Sequence, residues 1–181
     1  GLSMDVLRAA NPAVVVIESS AMGSWGPASR NLGYGPLVRA ATGLTSLWRY
    51  PEQPDGFCDS ITIYPDHTVS RIGALSALAQ LIGRRRHGHG GTVVGAQAEV
   101  ILGQLAEHFL RESLVPGSFR ALGNTGEYDA PYGVYQCRGD DEWCVVTIRG
   151  DEDWRRLGRA IDAPDLAADP SLDTATGRVG Q

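Results

Sequence analysis

The run Ala13-Val14-Val15-Val16-Ile17-Glu18, set directly behind Asn11-Pro12, constrains this 181-residue chain more than any other stretch. Its β-branched residues follow one another without alternation, the pattern of a strand buried on both faces of a parallel sheet. Ahead of it, Leu2 to Ala10 reads as the end of a helix. Asn11-Pro12 breaks that helix, because the residue before a proline is held out of the helical region. Helix, breaker and buried strand make an α/β repeat caught partway through. A free-standing sheet of this kind needs further strands before this one. The chain is therefore expected to begin inside a domain and to be the middle of a longer protein.

A second feature lies at Tyr64-Pro65-Asp66-His67, where Asp66 occupies the position of an N-cap. Val69, Ile72, Leu75, Leu78 or Ala79, and Ile82 then recur at helical spacing, which predicts one buried face. Ser70, Gly73, Ala74, Ser76 and Ala77 lie on the other faces, small enough for a second backbone to approach closely. Arg84, Arg85 and Arg86 fall in the last turn, where cations complement the helix dipole, and Gly88 supplies the stop. By spacing alone, Asp66 is a helix cap.

The stretch resembles the family III CoA-transferases, the group that includes formyl-CoA transferase, the carnitine CoA-transferases and α-methylacyl-CoA racemase. In that family an Asp opens a small-residue-rich helix that ends in a basic cluster and a Gly-x-Gly turn. The interval from Asp66 to Arg84-Arg85-Arg86 and on to Gly88-His89-Gly90 follows this pattern without a gap. Departures are His87 and His89 for the family's usual Thr and Arg, and Gly91 for its usual Gln. The segment from Leu7 to Pro27 is similar to a third or later αβ unit of the family, with Gly23 to Pro27 as its glycine-containing loop. The resemblance implies an α/β chain: part of a Rossmann-like large domain, then the start of a small α+β domain. It implies that Asp66 is a nucleophilic carboxylate.

Pro36 opens a further helix after the loop over residues 21–36. Tyr34 falls on a family position beside the acyl group, and a packed aromatic with a wet hydroxyl is the other reading. Gly35 stands where the family commonly has an acidic residue, and the racemase branch places a His at Tyr34. A racemase needs acid/base groups on both faces of the α-carbon. Tyr34-Gly35 leaves one missing, which favours transfer over racemisation, although Gly35 also removes a side chain that some transferases use. Trp48 and Tyr50 either line an acyl pocket or pack in the core, and short extended pieces are expected at Trp48–Pro51 and Ile61–Tyr64.

Thr92 to Val94 reads as a strand leading into one long helix, Gln97 to Glu112, with Ile101, Leu102, Leu105, Phe109 and Leu110 as its stripe. The first domain is expected over residues 1–115, a linker over 116–133 and part of the small domain over 134–181. Tyr132–Arg138 and Glu142–Arg149 alternate around Gly139-Asp140-Asp141 as a hairpin. Asp151-Glu152-Asp153 leads a helix over Trp154–Ile161. By resemblance, Gly123, Asn124 and Gly126 belong to a loop that folds over the active site, though without the family's run of glycines. Arg84 and Arg85 either meet a CoA phosphate or solvate the helix end.

The net charge of −5 argues against nucleic-acid binding. No apolar run approaches the roughly 20 residues of a membrane span, and from its opening residues no signal segment is expected. All 16 basic residues counted as Lys or Arg are arginine. Cys58, Cys137 and Cys144 lack metal-ligand spacing, so reduced thiols and a cytoplasmic location are expected. His67, His87 and His89 sit in alternating or separated positions without a carboxylate cluster, and no metal site is expected. His108 is lone and read as structural.

The resemblance implies coenzyme A as a substrate with no tightly bound cofactor. Partners would be an acyl-CoA and a carboxylic acid, within an interlocked homodimer in the full-length protein. Asp66 would attack the thioester, and backbone N–H groups at its helix N-terminus would face the developing oxyanion. Two alternatives stay open: an α-methylacyl-CoA racemase-like isomerase, or a non-catalytic half domain used in dimerisation. The isolated segment can lack activity if most CoA-binding residues lie before it.

Overall fold

The structure, a computed structural model, describes residues 2–58 and 61–179; Asp59 and Ser60, inside the loop expected over 45–65, lie outside the described residues. The chain divides into two compact units, residues 1–48 with 57–120, and residues 49–56 with 121–181.

The first unit contains α1 (Met4–Ala10), β1 (Val16–Ser20), α2 (Gly35–Ala41), α3 (Leu44–Leu47), α4 (Tyr64–His87), β2 (Thr92–Ala96), α5 (Gln97–Gln104) and α6 (Ala106–Leu114). Ser3 caps α1, its hydroxyl accepting from the Val6 N–H at 3.4 Å. β1 and β2 pair in parallel, with Val16 opposite Thr92 and Ser20 opposite Ala96. Parallel neighbours need a crossover, and α2, α3 and α4 fill it. The α/β fold expected from the sequence is present.

The β-branched run is less buried than its composition predicts. Ile17, Glu18 and Ser19 are exposed. Among the described residues β2 is the strand that pairs with β1, and α4 packs on the pair, with Ile17 Cγ2 3.7 Å from where a Cβ on Gly73 would lie.

α4 differs from expectation in two ways. Ile63, not Asp66, takes the N-cap position, and Asp66 is the third residue of the helix. Pro65 explains the earlier start: its fixed φ suits the first turn and its missing N–H is no loss there. The face that meets the strands is also the other one. Gly73, Ser76, Ala77 and Gln80 are half-buried, whereas Ile72, Leu75, Leu78 and Ile82 are exposed, Leu75 by 67%. Small side chains let the backbone of α4 lie close to the sheet, so they win the inner face over the larger apolar ones. Val69 and Thr68, near the helix start, are buried. Gly88 ends α4 with φ 79°, its N–H donating to Arg84 O at 2.8 Å, as a left-handed C-terminal glycine should.

The single helix expected over 97–112 is broken. α5 stops at Gln104 and α6 begins at Ala106, with Leu105 at φ −89°, ψ 4° between them. This conformation keeps Leu105 in the core with Ile101 and Leu44, against which Leu47, Trp48 and Tyr64 pack. Leu102, Phe109 and Leu110 are exposed instead. Phe109 stacks on Phe119 at 5.2 Å, and His108 meets the same ring edge-on. Trp48 meets Tyr64 edge-on and carries the Arg39 guanidinium 4.9 Å from its ring centre. Neither expected extended piece is a strand: Trp48 follows α3 directly and Tyr64 opens α4.

The second unit contains the antiparallel hairpin β3 (Tyr132–Gln136) and β4 (Trp143–Thr147), then α7 (Asp151–Ala160), α8 (Pro164–Ala168), a 3-10 turn at Pro170–Leu172 and α9 (Ala175–Val179). Tyr132 lies opposite Thr147 and Gln136 opposite Trp143, the hairpin that alternation predicted. Asp151, Glu152 and Asp153 occupy the first turn of α7 as expected. Arg178 is buried and binds this unit together, donating to Ala130 O at 2.8 Å and Leu172 O at 2.9 Å.

Candidate active site

Three helix starts meet in the first unit. Gly35 is the first residue of α2, Asp66 the third of α4 and Gln97 the first of α5. The half-buried Asp66 carboxylate accepts a hydrogen bond on Oδ1 from Gln97 Nε2 at 2.9 Å. Its other oxygen, Oδ2, is buried and has no partner among the described residues, and the same holds for Gln97 Oε1. Gly35 makes room for this carboxylate. A Cβ there would lie 2.5 Å from Asp66 Oδ2 and 2.7 Å from Ile63 Cα. The residue that looked like a lost acidic group is thus a space left for Asp66.

The positive end of α4 favours a carboxylate in its first turn. Two of the backbone donors nearest Asp66 are engaged within the helix. The Asp66 and His67 N–H groups both donate to Ile63 O, at 3.1 and 3.3 Å, and Pro65 has no N–H to offer. The donor that does reach the carboxylate is the Gln97 side chain. Sequence reasoning missed it. One signal could have found it: in open α/β sheets, sites gather beyond the C-terminal ends of parallel strands, and Gln97 is the first residue after β2.

The other residues singled out from sequence belong to several elements. Tyr34 holds the N-cap position of α2, next to Gly35, and is 75% exposed. Arg84 Nη1 donates to Ala13 O at 3.3 Å, fastening the end of α4 to the segment before β1. Arg85 lines a surface groove of about 330 Å³ with Leu78, Leu81, Ile82 and Arg84. Gly123, Asn124 and Gly126 belong to the second unit. There Gly123 and Asn124 line a cleft of about 220 Å³ with Thr125, Tyr132 and Thr147. Asn124 Nδ2 donates to the Tyr50 hydroxyl at 3.2 Å, and Gly126 lies against the Tyr132 ring. His87 and His89 stack on each other at 6.1 Å. Among the described residues no three His, Cys, Asp or Glu side chains group as metal ligands. No helix among them is long and apolar enough to cross a membrane.

The sequence model of CoA-transferase family III matches residues 1–181. The chain belongs to CoA-transferase family III. A probable CoA-transferase of Mycobacterium tuberculosis, Rv1866, is 47% identical over 184 residues, covering 99% of this chain and 23% of the relative. A succinyl-CoA–D-citramalate CoA-transferase of Chloroflexus aurantiacus is 31% identical over 179 residues, covering 98% of this chain and 44% of the relative. The chain therefore spans less than half the length of these relatives. Among solved structures, a CAIB/BAIF family protein from Brucella suis superposes with a TM-score of 0.78 at 23% identity, over 99% of this chain and 46% of that one. Rv3272 of M. tuberculosis gives a TM-score of 0.75 at 24% identity, over 98% and 46%. These likenesses show that the α/β fold is shared.

Proposed function

We propose that this chain carries the nucleophile of an acyl-CoA:carboxylate CoA-transferase, and that the nucleophile is Asp66. The observation that carries the reading is the state of its carboxylate. One oxygen is held by Gln97, and the other is buried, unpartnered and given space by a glycine. An oxygen free of other hydrogen bonds keeps its electron pairs for attack once the carboxylate turns it out of its buried position beside Gly35.

Turned out from its buried position, Asp66 Oδ2 attacks the thioester carbonyl of the donor acyl-CoA. The C–S bond breaks, leaving a mixed acyl–aspartyl anhydride and the CoA thiolate. The thiolate then attacks Asp66 Cγ and expels the donor carboxylate, which makes an aspartyl-CoA thioester. The acceptor carboxylate attacks the same Cγ, regenerating an anhydride and a thiolate. Attack of that thiolate on the acceptor acyl carbon releases the new acyl-CoA and restores Asp66. Each step exchanges one carboxylate or thiolate for another and needs no external oxidant or base. Water must be excluded, because it would hydrolyse either intermediate. Several relatives are named for transfer from succinyl-CoA to citramalate or malate, so succinyl-CoA with a hydroxydicarboxylic acid is the first pair to assay.

Hydroxylamine trapping tests the reading. The native protein is incubated with succinyl-CoA and hydroxylamine, and the peptides are mapped by mass spectrometry. A hydroxamate on Asp66 is the expected product. Absence of any adduct while CoA still binds would overturn it, and α-proton exchange would then separate an isomerase from a non-catalytic domain.

A further inference from the structure

The Gln97–Asp66 bond has a chemical meaning that depends on which carboxylate oxygen it holds. If Oδ2 forms the anhydride, Oδ1 becomes the carbonyl oxygen of both covalent intermediates. The two central steps, thiolate attack and acceptor attack, then occur at Cγ and place a negative charge on Oδ1. Gln97 Nε2 already lies 2.9 Å from that atom, the distance an oxyanion donor requires. The backbone N–H groups of Asp66 and His67 are committed to Ile63 O and cannot take the role in this arrangement.

We propose that Gln97 is a catalytic residue of this site: its side-chain amide holds Oδ1 while Asp66 turns Oδ2 out from beside Gly35 to attack, and then serves as the oxyanion donor to Oδ1. The assignment rests on the reading of Asp66 as the nucleophile. Geometry supports it from a second side. Gly35 confines Oδ2 on the face away from Gln97's hydrogen bond, since any side chain at 35 would occupy the position beside Oδ2. The two carboxylate oxygens are therefore not equivalent, and Gln97 is what distinguishes them. A glutamine also suits the task because its amide stays neutral and keeps its donor at every working pH.

Two isosteric variants test the assignment in the native protein, with succinyl-CoA as donor. Gln97→Leu removes the donor and keeps the volume. Loss of one oxyanion donor costs about 10²–10³ in kcat, so a fall of that size is expected with KM little changed. Release of free succinate in a single turnover should slow in parallel, because it requires attack at Cγ. Gln97→Glu gives a readout that packing alone would not produce. The introduced carboxyl donates as the amide does while it is protonated, and once ionised it repels Asp66. The rate of this variant should approach wild type at the acid end of the profile and fall about tenfold per pH unit as the new carboxyl loses its proton. Tyr64, His67, Arg39 and Glu99 are present in both proteins, so the wild-type profile subtracts their titration.

Wild-type kcat in Gln97→Leu, or a Gln97→Glu profile parallel to wild type, would overturn the assignment. Those results leave the Asp66 hydroxamate of the wild-type protein intact. Failure of the wild-type trap would instead remove the nucleophile reading itself.

Discussion

Gly35 and Asp66 are in contact across two helix starts: a β-carbon on residue 35 would sit 2.5 Å from Asp66 Oδ2. Real Cβ atoms do not approach an oxygen that closely, so one of the two must move. Ile63 Cα, at 2.7 Å, blocks retreat in the other direction. Gly35→Ala is therefore expected to turn the Asp66 carboxylate away from its present position and strain its bond to Gln97. A misplacement of about 1 Å costs on the order of 100-fold in rate. The check is the rate of hydroxamate formation on residue 66, with thermal melting to show that the fold survives. A near-normal rate would mean that the carboxylate keeps its working position despite the added methyl.

The order of elements was legible because period and punctuation both pointed to it. Asn11-Pro12 ends α1, Gly88 ends α4 and the alternation around Gly139-Asp140-Asp141 gives the hairpin. The inner face of α4 was only partly legible. The small residues Gly73 and Ala77 could be marked as fit for close approach by another backbone, but periodicity also put Leu75 and Ile82 on a buried stripe and could not say which face the sheet would take. The break at Leu105 was invisible for a related reason: no glycine or proline marks it, and it is set by where Leu105 packs. Within the site, Asp66 stood out by its helix, whereas Gln97 is 31 residues away in sequence. It reaches Asp66 because β2 lies parallel to β1 and delivers its C-terminal end there. Gly35 read as a defect because a missing side chain is informative only beside the group that fills its space.

Glu112 closes the turn after α6, and this makes part of the first unit's stability acid-labile. Its carboxylate accepts from Gly117 N at 2.8 Å, Phe119 N at 2.6 Å and the Ser118 hydroxyl at 3.3 Å. The backbone N–H of Gly117, then that of Phe119, hold its pKa below the ordinary carboxylate value. The folded state thus binds this proton less readily than the unfolded chain. The stabilisation is complete above the unfolded pKa and is lost as pH falls through the depressed folded value. Glu112→Gln should melt at a lower temperature than wild type at neutral pH, with the difference narrowing on acidification. A difference constant with pH would show that the charge of Glu112 contributes nothing.

Cys137 follows β3 and is a diagonal neighbour of Cys144, which lies opposite Tyr135 on β4, and the contact should mute one thiol. The hydrogen bond with Cys144 raises the Cys137 pKa, with smaller contributions from desolvation and charge. Thiolate is the reactive form, so Cys137 should alkylate more slowly than its exposure suggests. Cys144→Ala removes the partner and is expected to speed carbamidomethylation of Cys137 at neutral pH several-fold. Quantitative peptide mapping over time measures this directly. An unchanged rate would show that the neighbouring sulfur does not control the thiol.

Arg178 is the cation on which the second unit depends. Its side chain is 2% exposed, and it donates to Ala130 O, to Leu172 O and to Asp151 Oδ1 at 3.3 Å. It joins the loop ahead of β3, the 3-10 turn and the start of α7, and its guanidinium lies 5.6 Å from the Trp154 ring centre. The Asp151 side chain is 50% exposed, so that ion pair adds little against solvent screening. The two bonds to carbonyls matter more, because a charged donor is worth about 1.5–3 kcal/mol per bond and its loss leaves acceptors unpaired. Arg178→Ala should therefore destabilise this unit by roughly 2–4 kcal/mol. Arg178→Lys should recover only part, since one ammonium cannot reproduce the planar fork. The unfolding midpoint in urea, followed by tryptophan fluorescence, checks the order wild type, Arg178→Lys, Arg178→Ala. Lysine matching arginine would mean that charge alone holds the three segments, without the geometry of the guanidinium.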